Sequence, residues 1–153
     1  MSSLCRSVYY QLRQLRPVVR SITEDSAMMV VQAFVSSRLD YCNSLLCGIA
    51  GNLLQKLQSV QNAAARLITR TGRRQHITPV LRELHWLPVR QRIDFKLAVL
   101  VHKTLHDQLP QYLAEDCQLL TDISRRSLRS ADVLTCATLR TRTCLGDRSF
   151  FRR

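Results

Sequence analysis

The sequence predicts an all-α fold, a helical bundle of five or six helices followed by a basic, weakly structured tail. Three observations carry that expectation. Apolar residues recur at steps of three and four through most of the chain up to residue 120, which places them on one face of successive α-helices. Helix stop and start signals separate these stretches by short intervals. No segment before residue 121 alternates strongly enough to compete as a strand. A chain of 153 residues buries one core of ordinary size, so residues 1–120 read as one helical domain and 121–153 as a tail or β-ribbon remnant.

The first element, about residues 3–20, sets Leu4, Val8, Leu12, Leu15 and Val19 on one stripe and Arg6, Arg13, Arg16 and Arg20 off it. Pro17 falls late in it and suggests an end near Leu15. Ser21 and Glu24 have capping-box spacing, Thr23 offers another cap, and Glu24 and Asp25 suit a positive helix N-terminus. A long helix is expected from there to about Leu46, burying Ala27, Val30, Val31, Phe34, Val35, Leu39, Cys42 and Leu46. Gly48 and Gly51 close it. From Asn52 as cap, Leu53, Leu54, Leu57, Val60, Ala64, Leu67 and Ile68 draw the next stripe, and Ala63, Ala64 and Ala65 allow a neighbour to approach closely.

The most informative stretch is His76–Leu97, HITPVLRELHWLPVRQRIDFKL. Thr78 and Pro79 read as a helix start, Leu81 and Leu84 as its buried side, and Trp86 and Leu87 as an apolar corner stopped by Pro88. Trp86 reads as a core anchor, since a large aromatic among leucines has much area to hide. Val89 to about Gln108 continues as a helix with Ile93, Leu97, Leu100, Val101 and Leu105 inward, and Leu109-Pro110 breaks it. A short helix from Pro110 to about Leu120 follows. Beyond it, weak alternation at 133–137 and 141–145 fits either two strands of a small β-ribbon or an unstructured tail.

Charge narrows the function. The net charge is +12, and 20 of the 23 basic residues are arginine, the side chain whose planar fork matches phosphate. The arginines cluster: four in residues 1–20 with no acid, seven in 66–92 against Glu83, eight in 125–153 against Asp132 and Asp147. Such segmentation favours a polyanion, and nucleic acid is the expected partner. The competing reading of Arg66, Arg70, Arg73 and Arg74 is solvation and complementation of a helix C-terminus. No apolar run reaches the roughly eighteen residues of a membrane span, and arginines interrupt the N-terminus, so a soluble, intracellular protein, nuclear or cytoplasmic, is expected.

Catalytic and metal chemistry find little support. Glu24-Asp25 and Glu115-Asp116 read as helix-end or surface acids. His102 and His106 lie one helical turn apart, but HKTLH lacks the glutamate of the HExxH pattern and a third ligand. Cys5, Cys42, Cys47, Cys117, Cys136 and Cys144 form no CxxC pair and read as free thiols. No Gly-rich phosphate loop occurs, and neither a metal nor a cofactor is expected.

Four strings, in order and spacing, are SRLDYCNSLLCGI (Ser37–Ile49), LQSVQNAAARLITR (Leu57–Arg70), the His76–Leu97 stretch, and RSLRSADVL (Arg126–Leu134). Together they resemble the C-terminal region, thumb and following segment, of reverse transcriptases encoded by LINE-type (non-LTR) retrotransposons. The resemblance covers most of the chain. It implies a helical thumb that leans on an RNA–DNA or DNA duplex through sequence-independent backbone contacts. It assigns that role to Arg66, Arg70, Arg73 and Arg74, with Arg82, Arg90 and Arg92 around the corner. This chain has Cys47 where the family usually has an aromatic, His102 where it has tyrosine and Asp107 where it has glycine. The family's palm, with its paired aspartates, is not in this chain, and Asp40 is no substitute because it is expected mid-helix. The expectation is therefore a non-catalytic fragment that keeps sequence-nonspecific nucleic-acid binding. Two rivals stay open: a helical module for protein interaction or self-association, and a degenerate reading frame without function.

Overall fold

The computed structural model describes residues 2–117 together with Leu119 and Cys136. The fold is all-α: six α-helices, and no strand among the described residues beyond a lone antiparallel bridge between Leu119 and Cys136. The suggested ribbon at 133–137 and 141–145 otherwise lies outside the described residues. Two compact units are present, the chain up to Asn43 with Ile49–Ile93, and Ser44–Gly48 with the chain from Asp94 onward.

In the first unit α1 spans Ser2–Val19 and buries Val8, Leu12 and Val19. It does not stop at Leu15. Pro17 removes the hydrogen bond to the Arg13 carbonyl, but both residues are exposed, so water can satisfy that carbonyl and the helix continues. Ser21 closes α1, its hydroxyl donating to the Val18 carbonyl at 2.9 Å, and Thr23 caps the next helix by accepting from the Ser26 N–H.

That helix, α2, spans Glu24–Val31 and runs on through a π turn, Gln32–Ser36, into Ser37–Asp40. Ala27, Val31, Val35 and Leu39 are buried, whereas Phe34 and Cys42 face solvent against expectation. It also ends six residues before Leu46. Tyr41 turns extended, Cys42 enters the left-handed region at φ 50°, and Asn43–Leu46 form a separate 3-10 turn.

The central helix is α3, Gly51–Ile68, against which α1, α2 and the next helix all pack. Asn52 lies inside it and not at its cap. Leu57, Val60, Ala64, Ala65 and Ile68 are all at most 2% exposed, and the two alanines permit the close approach.

Helix α4, Ile77–Glu83, starts two residues earlier than its Thr78-Pro79 signal, with the His76 ring nitrogen accepting from the Thr78 N–H. Its far end is a Schellman motif. The Trp86 N–H reaches back to the Leu81 carbonyl at 2.8 Å and the His85 N–H to the Arg82 carbonyl at 3.0 Å, with His85 left-handed at φ 53°. This reversal drives Trp86, 9% exposed, into the core beside Leu81 and Leu84; Leu87, expected buried, is 44% exposed. Two glutamines of α3 hold the strand of chain that follows. Gln61, 1% exposed, donates to the Leu87 carbonyl at 2.8 Å, and Gln58 accepts from the Val89 N–H at 2.9 Å. Gln58 also donates to Gln61 and Asn62. These bonds satisfy the backbone on either side of Pro88, where no helix can.

Helix α5, Val89–Leu105, begins in the first unit, where Val89 and Ile93 are buried. In the second unit it carries a buried Thr104, bonded to the Leu100 carbonyl at 2.8 Å, while Leu105, expected inward, is exposed. A second Schellman closure follows: Gln108 N–H to Lys103, Asp107 N–H to Thr104, and Asp107 left-handed at φ 52°. A glycine adopts this left-handed conformation without the cost that a side chain carries. Short α6, Gln111–Asp116, leads to buried Cys117.

Candidate nucleic-acid interface

On α1, Tyr9, Leu12, Arg13, Arg16, Val19 and Arg20 recur at three- and four-residue steps and so share one face. On α3, Ser59, Asn62, Ala63, Arg66 and Leu67 do the same, and Arg70 follows just past its end. These two faces, with Thr71 and Arg73 from the following turn, line one groove of about 780 Å³. The small side chains Ser59 and Ala63 leave the space open. Among the described residues six arginines border it, three from each side, and no carboxylate does.

Arg70 shows how the groove is closed at one end. It sits left-handed just past α3, φ 55°, and its guanidinium donates to the Val19 and Arg20 carbonyls at 3.4 and 3.5 Å. The C-terminal ends of α1 and α3 therefore lie together. Arg66 is half-buried, donates to the Gln75 carbonyl at 3.4 Å, and keeps a buried Nε without a partner. Tyr9 stands 43% exposed in the wall. Burial, with a smaller push from Cys5, holds its phenol above the usual value, opposed by the nearby Arg73 cation.

Helix-dipole complementation accounts for only part of this charge. Two helix C-termini present about half a negative charge each, against six arginines. Among the described residues the one ion pair is Arg92–Asp40, at 2.9 Å, and no described carboxylate pairs with a groove arginine. The arrangement is a concave cationic surface with hydrogen-bond forks, suited to a polyanion.

Of the seven arginines expected from sequence, Arg66, Arg70 and Arg73 meet in the groove. Arg74, Arg82 and Arg90 are exposed elsewhere on the unit, and Arg92 is engaged with Asp40. Sequence reasoning did not assign Arg13, Arg16 and Arg20 to a site, although their spacing already put them on one helix face. Among the described residues no group of three His, Cys, Asp or Glu is gathered. His102 and His106 stack, centroids 4.1 Å apart, and His106 Nδ1 lies 2.8 Å from the His102 carbonyl. No helix among the described residues is long and apolar enough to cross a membrane.

No family model matches this chain, and neither a curated protein nor a solved structure matches it.

Proposed function

We propose that this chain is a non-catalytic, sequence-nonspecific nucleic-acid-binding protein, related to the thumb region of LINE-type reverse transcriptases and engaging the phosphate backbone. The observation that carries the reading is the groove between α1 and α3, bordered by Arg13, Arg16, Arg20, Arg66, Arg70 and Arg73 and, among the described residues, by no carboxylate. Affinity of this kind comes from releasing condensed counterions, so it falls steeply with salt. If six phosphates are neutralised, the single-strand slope of about −0.7 per contact predicts a loss of about 300-fold between roughly 50 and 200 mM salt. Fluorescence anisotropy on a labelled oligonucleotide measures this. Replacing Arg13, Arg66 and Arg73 together by Glu abolishes binding while circular dichroism stays unchanged. Affinity indifferent to both salt and these substitutions refutes the proposal.

A second reading, self-association, is favoured by the apolar side chains that α2 and its end leave bare: Met29 at 67%, Phe34 at 49% and Tyr41 at 81% exposure. It predicts concentration-dependent oligomers by light scattering that persist at high salt and dissolve on Met29→Lys and Phe34→Lys replacement.

A further inference from the structure

We infer that the α1–α3 groove takes single-stranded nucleic acid, its phosphates running along the arginines and one base stacked on Tyr9. This deepens the proposed function and rests on it. Shape is the first argument. The site is a concave groove running along two packed helices, walled on both sides by their arginines. A duplex, with two backbones and stacked base pairs between them, is too broad to seat in a space of about 780 Å³. An extended single strand is not. The volume of about 780 Å³ fits a few nucleotides and no more.

Composition is the second argument. Grooves that bind single strands combine cations tracking the backbone with an aromatic face on which a base stacks. Here the cations come from both walls, and Tyr9, 43% exposed, stands among them at the end away from Arg70. Its ring needs no hydrogen bond to offer that face, so the contact tolerates any base. Ser59, Asn62 and Thr71 add neutral donors and acceptors between the arginines, within reach of sugar and base edges.

The test compares one oligonucleotide of about 12 nucleotides, within the site sizes of such grooves, single-stranded and as a blunt duplex, by anisotropy at fixed salt. The single strand binds about tenfold more tightly. Tyr9→Ala lowers single-strand affinity about tenfold and leaves duplex affinity unchanged, whereas Tyr9→Phe, which keeps the ring, binds as the parent does. Thermal melts of the variants confirm that the partly exposed position does not govern folding. Equal affinity for the two forms, or Tyr9→Ala binding the single strand as tightly as the parent, overturns the inference; if the arginine replacements still abolish binding, the proposed function stands. Failure of both forms to bind overturns both.

Discussion

Replacing Gln61 by Leu tests what holds the corner at Pro88. The swap keeps the volume and the helix propensity but removes the donor to the Leu87 carbonyl, 2.8 Å away, and the acceptor of the Gln58 bond at 3.0 Å. Gln61 is 1% exposed, so water cannot reach its place easily. A buried backbone acceptor left unpaired costs about 1–3 kcal/mol; the Leu87 bond is part-buried, so its loss falls toward the lower end, and the apolar replacement returns part of that by burying extra methyl groups. The net expectation is a loss of about 1–2 kcal/mol, or roughly 4–10 °C in Tm if the unit melts cooperatively. Urea denaturation by circular dichroism, with the exposed Gln55→Leu as the control within about 0.5 kcal/mol of the parent, measures it. Gln58→Ala should couple, because Gln58 bonds Gln61 and the Val89 N–H at once; a double-mutant cycle then gives an interaction of at least about 0.5 kcal/mol. A Gln61→Leu variant as stable as its parent, or strictly additive with Gln58→Ala, refutes the claim that these glutamines stitch the corner.

Other outcomes follow from the same unit and from the thiols. Trp86→Ala empties the site below the Schellman turn and lowers stability by about 3–5 kcal/mol, read from urea midpoints; a change under about 1 kcal/mol excludes Trp86 as an anchor. His85→Val, a β-branched residue forced into the left-handed region, costs about 1–2 kcal/mol, whereas His85→Gly is neutral or stabilising in thermal melts. Burial first, and then the neighbouring Cys136 whose sulfur lies 3.7 Å away, push the Cys117 thiol up to about 11. At pH 8 its thiolate fraction is then about two orders of magnitude below that of an ordinary thiol, partly offset by greater nucleophilicity. Alkylation of Cys117 by iodoacetamide, followed by mass spectrometry, should lag exposed Cys42 by about tenfold or more and catch up as the pH rises toward 11. Equal rates at pH 8 contradict that environment.

Apolar periodicity carried the helices well. Val8, Leu12 and Val19 on α1 and Leu57, Val60, Ala64 and Ile68 on α3 are buried as their spacing implies. Helix ends were less legible, because they depend on which backbone groups find partners. Pro17 is tolerated where its lost bond faces solvent, and Asp40 ends α2 with no glycine or proline to announce it. Gln58 and Gln61 look like surface residues in a string of letters; only the corner they meet makes them core. The groove was half legible. Arg66, Arg70 and Arg73 stood out as a cluster, but pairing them with Arg13, Arg16 and Arg20 requires knowing that α1 lies along α3, a contact some 50 residues apart in sequence.

The π turn in α2 solves a problem of counting. Ala27, Val31, Val35 and Leu39 repeat every four residues, whereas an α-helix turns every 3.6. Each step of four overshoots by about 40°, and three steps carry the last side chain about 120° around the axis, which would swing Leu39 off the side that Ala27 faces. One wider turn between Gln32 and Ser36 takes up the excess, and all four residues stay at most 6% exposed. The irregularity acts as an intercalary correction, and removing one residue from that turn would leave a plain α-helix with the same side chains at steps of four, three and four, still facing one side.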